Sequence, residues 1–233
     1  MKDLQEVKDL QEVKDLQEVK DLSTRQKVIL YVHGMGGGGD SRIPSILKDL
    51  LGPDFEVVIR TYSFNPETAR EQIASWVSEK SPDLVIGESL GATHAIAVKG
   101  IPHLFVSPSL NAPIFFRVLA ALALIPGVTR FFDWYYKPKE GDRQSLHFSR
   151  ENLLEWKRAR QEALKNTPRG GSGDYFHAFF GTRDKFRRSG VVLIRTWKKY
   201  FGEGSWTMYE GSHFMEEEYI RSLLVPAILS LLK

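Results

Sequence analysis

Beyond residue 26 the apolar residues of this chain follow two alternating rhythms. Short, nearly continuous runs rich in Val, Ile and aromatic residues give way to longer stretches whose apolar positions recur every three to four residues. The first rhythm predicts buried strands and the second amphipathic helices, because successive side chains alternate faces in a strand but turn by about 100° in a helix. The predicted strands are KVILYVHG, FEVVIRTY, Asp83 to Gly87, HLFVSPS, YFHAFFGTRD and WTMYEGSH. Helices are predicted over Ile43 to Leu51, Pro66 to Lys80 with Ile73, Trp76 and Val77 inward, and after Ser89 to Val98. Two more are predicted over Ser189 to Tyr200 and Phe214 to Leu232. Such alternation is the mark of an α/β domain with a mainly parallel central sheet flanked by crossover helices.

The rhythm breaks twice. After the fourth strand, residues 111–173 carry no strand pattern; an apolar helix around Phe115 to Leu124 leads to aromatic residues from Phe131 to Tyr136 and a charged helix over Arg150 to Lys165. This segment reads as a helical, lid-like insertion, with Arg169-Gly-Gly-Ser-Gly173 a flexible join at its edge. Residues 2–22 repeat KDLQEV three times and end in KDL. Apolar positions every third residue wind around a helix rather than sharing one face, so residues 1–25 are expected to form a solvated helical or disordered arm. One domain, 26–233, carries everything else.

Composition narrows the possibilities. With 42% hydrophobic and 26% charged residues the chain is expected to fold as a soluble globular protein. There is no cysteine, which excludes disulfides, thiol nucleophiles and cysteine-based metal sites. No signal-peptide pattern opens the chain, and the most apolar stretch, Val118 to Val128, is cut by Pro126 and Gly127, so a cytoplasmic location is expected. A net charge of +3 is too small to argue for nucleic acid. The basic residues Lys185, Arg187, Arg188, Arg195, Lys198 and Lys199 are expected to form the solvated face of an amphipathic helix.

Gly87-Glu88-Ser89-Leu90-Gly91 is a G-x-S-x-G pattern placed between an apolar strand and a helix, where a sharp turn exposes serine at the sheet edge. A serine hydroxyl is feebly nucleophilic at neutral pH and needs a base. Of six histidines, His213 lies in the loop after the last strand, at the same sheet edge; His94, five residues along a helix from Ser89, points away. Asp184 follows the fifth strand in Gly181-Thr-Arg-Asp184 and is the carboxylate best placed to fix the imidazole, with Asp142 and Glu210 as alternatives. The loop His33-Gly34-Met35-Gly36 follows the first strand. Its Met35 N–H and the Leu90 N–H form the natural pair of oxyanion donors.

Together HGMGGGG, GESLGA, GTRD and EGSH resemble the α/β-hydrolase superfamily, in particular its small bacterial esterase-like members, over nearly all of residues 26–233. The resemblance implies a Ser89, Asp184 and His213 triad, an acyl-enzyme mechanism, a small ester or thioester substrate, and no metal or organic cofactor. His33, Gly34, Phe115 and Phe116 are the expected substrate-side residues, with the apolar insertion favouring apolar acyl groups. Two other readings stand beside this one. Gly34, Gly36 and Gly39 formally satisfy a dinucleotide fingerprint, but the acid expected at the end of the next strand is absent. The fold could also serve as a non-catalytic binding or regulatory scaffold.

Overall fold

The computed structural model describes residues 25–138, 140–165, 167 and 174–232. The KDLQEV repeat and the glycine-rich join at 169–173 lie outside them. Six parallel strands form one sheet in the order β2-β1-β3-β4-β5-β6. They are β1 (Lys27–Val32), β2 (Phe55–Ile59), β3 (Leu84–Glu88), β4 (His103–Val106), β5 (Phe176–Gly181) and β6 (Trp206–Tyr209). The chain runs outward from β1 to β2 through helix α1 (Arg42–Leu51) and returns past β1 to β3 through α2 (Pro66–Lys80). Strand order therefore reverses between β1 and β3, which opens a crevice outside their carboxyl ends. Both the glycine-rich loop and Ser89 start there.

Strands buried on both faces need helices on both faces. Val28, Leu30, Val32, Phe105 and Phe180 face Ile73 and Trp76 of α2, Ala92 and Ala95 of α3 (Ala92–Ala95), and Trp197 of α8 (Ile194–Phe201). The alternate residues Ile29, Tyr31, Ile86, Leu104 and Phe179 face Ile43 and Leu47 of α1 and Ile220, Leu224 and Ile228 near the C-terminus. Helix α2 starts sharply because the Asn65 side chain accepts from Thr68 N at 2.9 Å and Pro66 occupies its first turn. Three helices separate β4 from β5: α4 (Ala112–Leu122), α5 (Val128–Tyr135) and α6 (Arg150–Lys165). They enclose a third apolar cluster, Phe64, Leu90, Phe116, Phe148, Leu153 and Trp156.

Three helices depart from the sequence expectation. The helix after Ser89 is a 3₁₀ turn (Ser89–Gly91) followed by α3, which gives out at Ala95, short of Val98, into turns toward Gly100 at φ 82°. The helix expected over Ser189 to Tyr200 starts only at Ile194, as α8, because Gly190 holds a φ of 81° that no helix contains; the basic residues before it form a separate short helix, α7 (Lys185–Arg188). The closing helix begins at α9 (Glu217–Tyr219), not Phe214, because the Glu216 carboxylate turns back to accept from Ser212 N at 3.0 Å. It then widens into a π turn over Ile220–Leu224 before α10 (Val225–Leu232). Pro226, lacking an N–H and clashing with the preceding turn, accounts for that widening.

Candidate active site

Ser89 follows β3 directly, with φ 49°, a left-handed conformation that a non-glycine residue holds only when its surroundings impose it. The surroundings are tight. A Cβ on Gly91 would lie 2.3 Å from the His33 carbonyl oxygen, so glycine there lets the end of β1 pass directly beside the turn. Gly34 sits over the serine, its position for a Cβ 3.0 Å from Ser89 Cβ.

The structure brings the three sequence-predicted polar residues together. Asp184, at the C-terminal end of β5, accepts from Phe186 N through Oδ1 at 2.8 Å and caps α7. Its Oδ2 lies 2.8 Å from His213 Nδ1, and His213 Nε2 lies 2.9 Å from Ser89 Oγ. A carboxylate only accepts, so Nδ1 carries the imidazole proton and Nε2 is left to accept the serine hydroxyl. Asp184 and His213 are 3% and 6% exposed, which shields the pair from water. The loop holding His213 reaches this position because Gly181 has no side chain: a Cβ there would fall 2.2 Å from the Ser212 carbonyl oxygen. The alternative acids are elsewhere. Asp142 accepts from Thr61 Oγ1 at 2.6 Å, and Glu210 is exposed, whereas His213 is buried against Asp184.

Two polar groups beside Ser89 escaped the sequence reading. Ser109 Oγ lies 3.0 Å from Ser89 Oγ, and Ser109 N donates to the Ser89 carbonyl at 2.9 Å. The register of β3 with β4 ends at Glu88 opposite Val106, and the turn after β4 brings Ser109 back beside Ser89, a contact that no sequence pattern marks. Glu88 is buried under the turn, where its Oε2 accepts from the Tyr31 hydroxyl at 2.9 Å. Burial pushes its carboxyl up, against the pull of Tyr31 and His213.

The loop after β1 is tied down by the insertion. Gln144, 1% exposed, accepts from Gly36 N at 3.1 Å, donates its own N–H to the Gly37 carbonyl at 2.7 Å, and donates Nε2–H to the Tyr62 carbonyl at 3.1 Å. Gly37, Gly38 and Gly39 N–H bond to Gly34 O, Ser41 Oγ and Thr61 Oγ1. Among the described residues no partner is present for Met35 N–H. The glycine run exists for this contact, since a Cβ on Gly38 would fall 1.7 Å from the Asp142 carbonyl oxygen. Replacing Gln144 with Leu strands the buried Tyr62 carbonyl, at about 1–3 kcal/mol, and the half-buried Gly36 N–H, at less. The Gln144→Leu protein is expected to melt lower and to turn over a small activated ester roughly tenfold more slowly, since oxyanion donors are worth about 100-fold or more when lost outright. Unchanged turnover in a folded variant would dissociate the loop from activity.

His33 and His94 are framework. The His33 ring stacks on Tyr62 with centroids 4.2 Å apart and shares its Nδ1 with the Gly34 carbonyl at 2.7 Å. His94 packs against Trp156 at 4.9 Å, away from Ser89. Burial lowers His33, His94 and His103 from 6.5 to about 4, about 3 and about 4. Unfolding restores ordinary values, so below pH 6.5 the unfolded chain takes up protons at three sites where the native chain does not. Stability is fully present above pH 6.5 and falls as pH drops, each histidine contributing up to about 1.4 kcal/mol per pH unit. Glu88, raised in the fold by burial, acts in the opposite sense and offsets part of this dependence. The expected loss between pH 6 and 4.5 is on the order of 2–3 kcal/mol per unit. Denaturant titration at half-unit intervals checks it, and a flat profile over that window would show these rings titrating normally.

The expected substrate-side aromatics divide. Phe116 is 6% exposed and packs against Phe64 and Trp156 with centroids 6.3 and 6.2 Å apart, so it belongs to the insertion's core. Phe115 is 44% exposed and reaches the bend at Gly190. Phe186, also 44% exposed, meets the His213 ring edge to face at 4.6 Å. A cavity of about 520 Å³ between α2, α3 and α6 is lined by Arg70, Ile73 and Ala159 among others, and none of Ser89, Asp184 and His213 borders it. No helix among the described residues is long and apolar enough to cross a membrane.

No protein-family model matches the chain, and no curated protein matches its sequence. Solved structures do resemble it. A variant of tomato methylketone synthase I complexed with β-ketoheptanoate aligns over 88% of this chain and 97% of that one, with TM-score 0.56 and 11% identity. The 1H-3-hydroxy-4-oxoquinoline 2,4-dioxygenase aligns over 90% and 92%, with TM-score 0.55 and 15% identity. A serine hydrolase of the polyaromatic-hydrocarbon-degrading bacterium Cycloclasticus zankles aligns over 89% of each chain, with TM-score 0.50 and 11% identity. At such identities the likeness is one of fold, and the named reactions differ widely, so chemistry must be argued from the side chains.

Proposed function

We propose that this chain, which has the α/β-hydrolase fold, is a serine hydrolase that cleaves a small ester or thioester through an acyl-enzyme intermediate. One observation carries the reading: the unbroken hydrogen-bonded series from Ser89 Oγ through His213 to Asp184. Ser89 Oγ attacks the acyl carbonyl carbon while His213 Nε2 takes its proton. The carbonyl oxygen becomes an oxyanion, which the Met35 and Leu90 N–H groups receive. Leu90 N–H stands at the opening of a helical turn, where donors lack an intrahelical acceptor, and the neighbouring N–H groups of the glycine loop are already engaged.

As the oxyanion collapses, the bond from carbon to the leaving oxygen or sulfur breaks. His213 Nε2–H protonates the leaving group, giving an alcohol or thiol and an acyl ester of Ser89. Water, deprotonated by His213, then attacks the acyl carbon, and the released Ser89 oxygen regains the proton, so one water is consumed per bond cleaved. Asp184 stabilises the imidazolium in each step without taking a proton. The insertion, with its apolar cluster reaching Leu90, is assigned the acyl side of the site.

A panel of p-nitrophenyl esters and acyl thioesters of increasing chain length tests this assignment. Turnover that depends on chain length and vanishes in Ser89→Ala supports it. A folded protein inert to the whole panel would leave a non-catalytic scaffold in its place.

A further inference from the structure

The basic residues of the fifth connection do not lie along one solvated helix face. A break at Gly190 separates α7 from α8, and Arg183, Lys185, Arg187, Arg188 and Arg195 line one hollow of about 670 Å³. Asp184 is the only carboxylate among its lining residues, and both its oxygens are engaged by His213 and Phe186 N. Among the described residues, no carboxylate lies within ion-pair distance of Lys185, Arg187, Arg188 or Arg195. Lys198, by contrast, pairs with Glu203 at 2.9 Å. Seven cations stand against one acid between residues 183 and 199, more positive charge than the whole chain's net +3. The chain's cationic excess is therefore confined to this stretch.

We propose that this hollow binds the phosphate-bearing part of the substrate's leaving group, an inference that rests on the acyl-hydrolase reading above. The leaving group must lie on the imidazole side of the site, because His213 Nε2 protonates it. The hollow shares a wall with that side: Asp184 borders it and bonds His213, and Phe186 of the same turn covers the imidazole edge. Guanidinium forks match phosphate oxygens in bidentate geometry, and five cations in one hollow suit a group carrying several charges rather than a lone carboxylate. A concave, local patch does not provide the extended track that a nucleic-acid backbone needs. The substrate class is thus an acyl ester or thioester of a phosphorylated alcohol or thiol, with the acyl group toward the insertion.

The probe is coenzyme A, titrated calorimetrically into the Ser89→Ala protein, with pantetheine as its phosphate-free counterpart. Coenzyme A is expected to bind at least tenfold more tightly than pantetheine, to weaken as salt rises from 50 to 300 mM, and to weaken about fivefold in Arg188→Gln/Arg195→Gln. In the active protein, the ratio of kcat/KM for acetyl-coenzyme A to that for acetyl-pantetheine is expected to fall by a similar factor in the double variant. A Lys185→Gln variant repeats the test should the double variant fold poorly. Equal affinity for the two probes, or a ratio unmoved by both variants, overturns the proposal. So does capture by phosphatidylglycerol vesicles with no binding of soluble coenzyme A. The calorimetric arm needs no turnover, so failure of the hydrolase reading registers separately, as binding without cleavage of any thioester.

Discussion

The His213→Ala protein is expected to lose about 10⁶-fold in kcat on an activated ester, close to the loss in Ser89→Ala, because base and nucleophile act as one unit. Without Nε2 the Ser89 hydroxyl retains its proton, and Ser109, the other group at its oxygen, is itself a hydroxyl and too weak a base to substitute. The double variant Ser89→Ala/His213→Ala should be no worse than either single one. Additive losses would mean that the two residues act on different steps. His213 is buried against Asp184, so circular dichroism and thermal melts must accompany the kinetics to show that the variant is folded.

Asp184→Asn is the second large effect, at about 10⁴-fold in kcat. The helix cap sharpens this expectation. Phe186 N requires an oxygen acceptor at Oδ1, so the asparagine amide is driven to present its nitrogen to His213. That nitrogen is a donor, and it selects the imidazole tautomer with a lone pair at Nδ1 and a proton at Nε2. Nε2 then cannot accept from Ser89. Because the cap is preserved, the melting temperature should change little, whereas Asp184→Ala removes cap and carboxylate together and should lower stability by about a further 1 kcal/mol. Retention of most activity in Asp184→Asn would require another acid to orient the ring. Among the described residues no other carboxylate is hydrogen-bonded to His213, and Asp142 is bound to Thr61.

Much of this geometry was legible in the sequence because it depends on local order. All six strands follow from short apolar runs, and the G-x-S-x-G pattern between a strand and a helix places Ser89 without any knowledge of distant contacts. His213 and Asp184 were accessible for a related reason: loops following parallel strands emerge at one edge, so position after a strand translates into position at the site. What the sequence hid is what depends on chain segments meeting from afar. Gln144 reaches Gly36 across 108 residues, and no pattern around Gln144 marks it. In the sequence the glycine run reads as an oxyanion loop or, formally, as a dinucleotide fingerprint, and nothing in it shows that its small side chains accommodate the backbone at Asp142.

Helix continuity misled for local reasons of a different kind. Amphipathic spacing runs through the Gly190 region without marking a break, yet a glycine at positive φ divides α7 from α8 and turns a solvated face into a concave one. Glu88 occupies a variable position of its motif, so only the fold reveals that it is buried against Tyr31. The apolar surroundings of Phe116 suit a substrate contact and the insertion's own packing equally well, and the structure places it in the latter.

The most direct test of the central claim is labelling by a fluorophosphonate, which phosphonylates only a serine activated by a base and requires no knowledge of the substrate. Wild type is expected to label stoichiometrically at Ser89, with labelling abolished in Ser89→Ala and in folded His213→Ala. A folded wild type that remains unlabelled, or a Ser89→Ala protein that labels as well as wild type, would contradict the account.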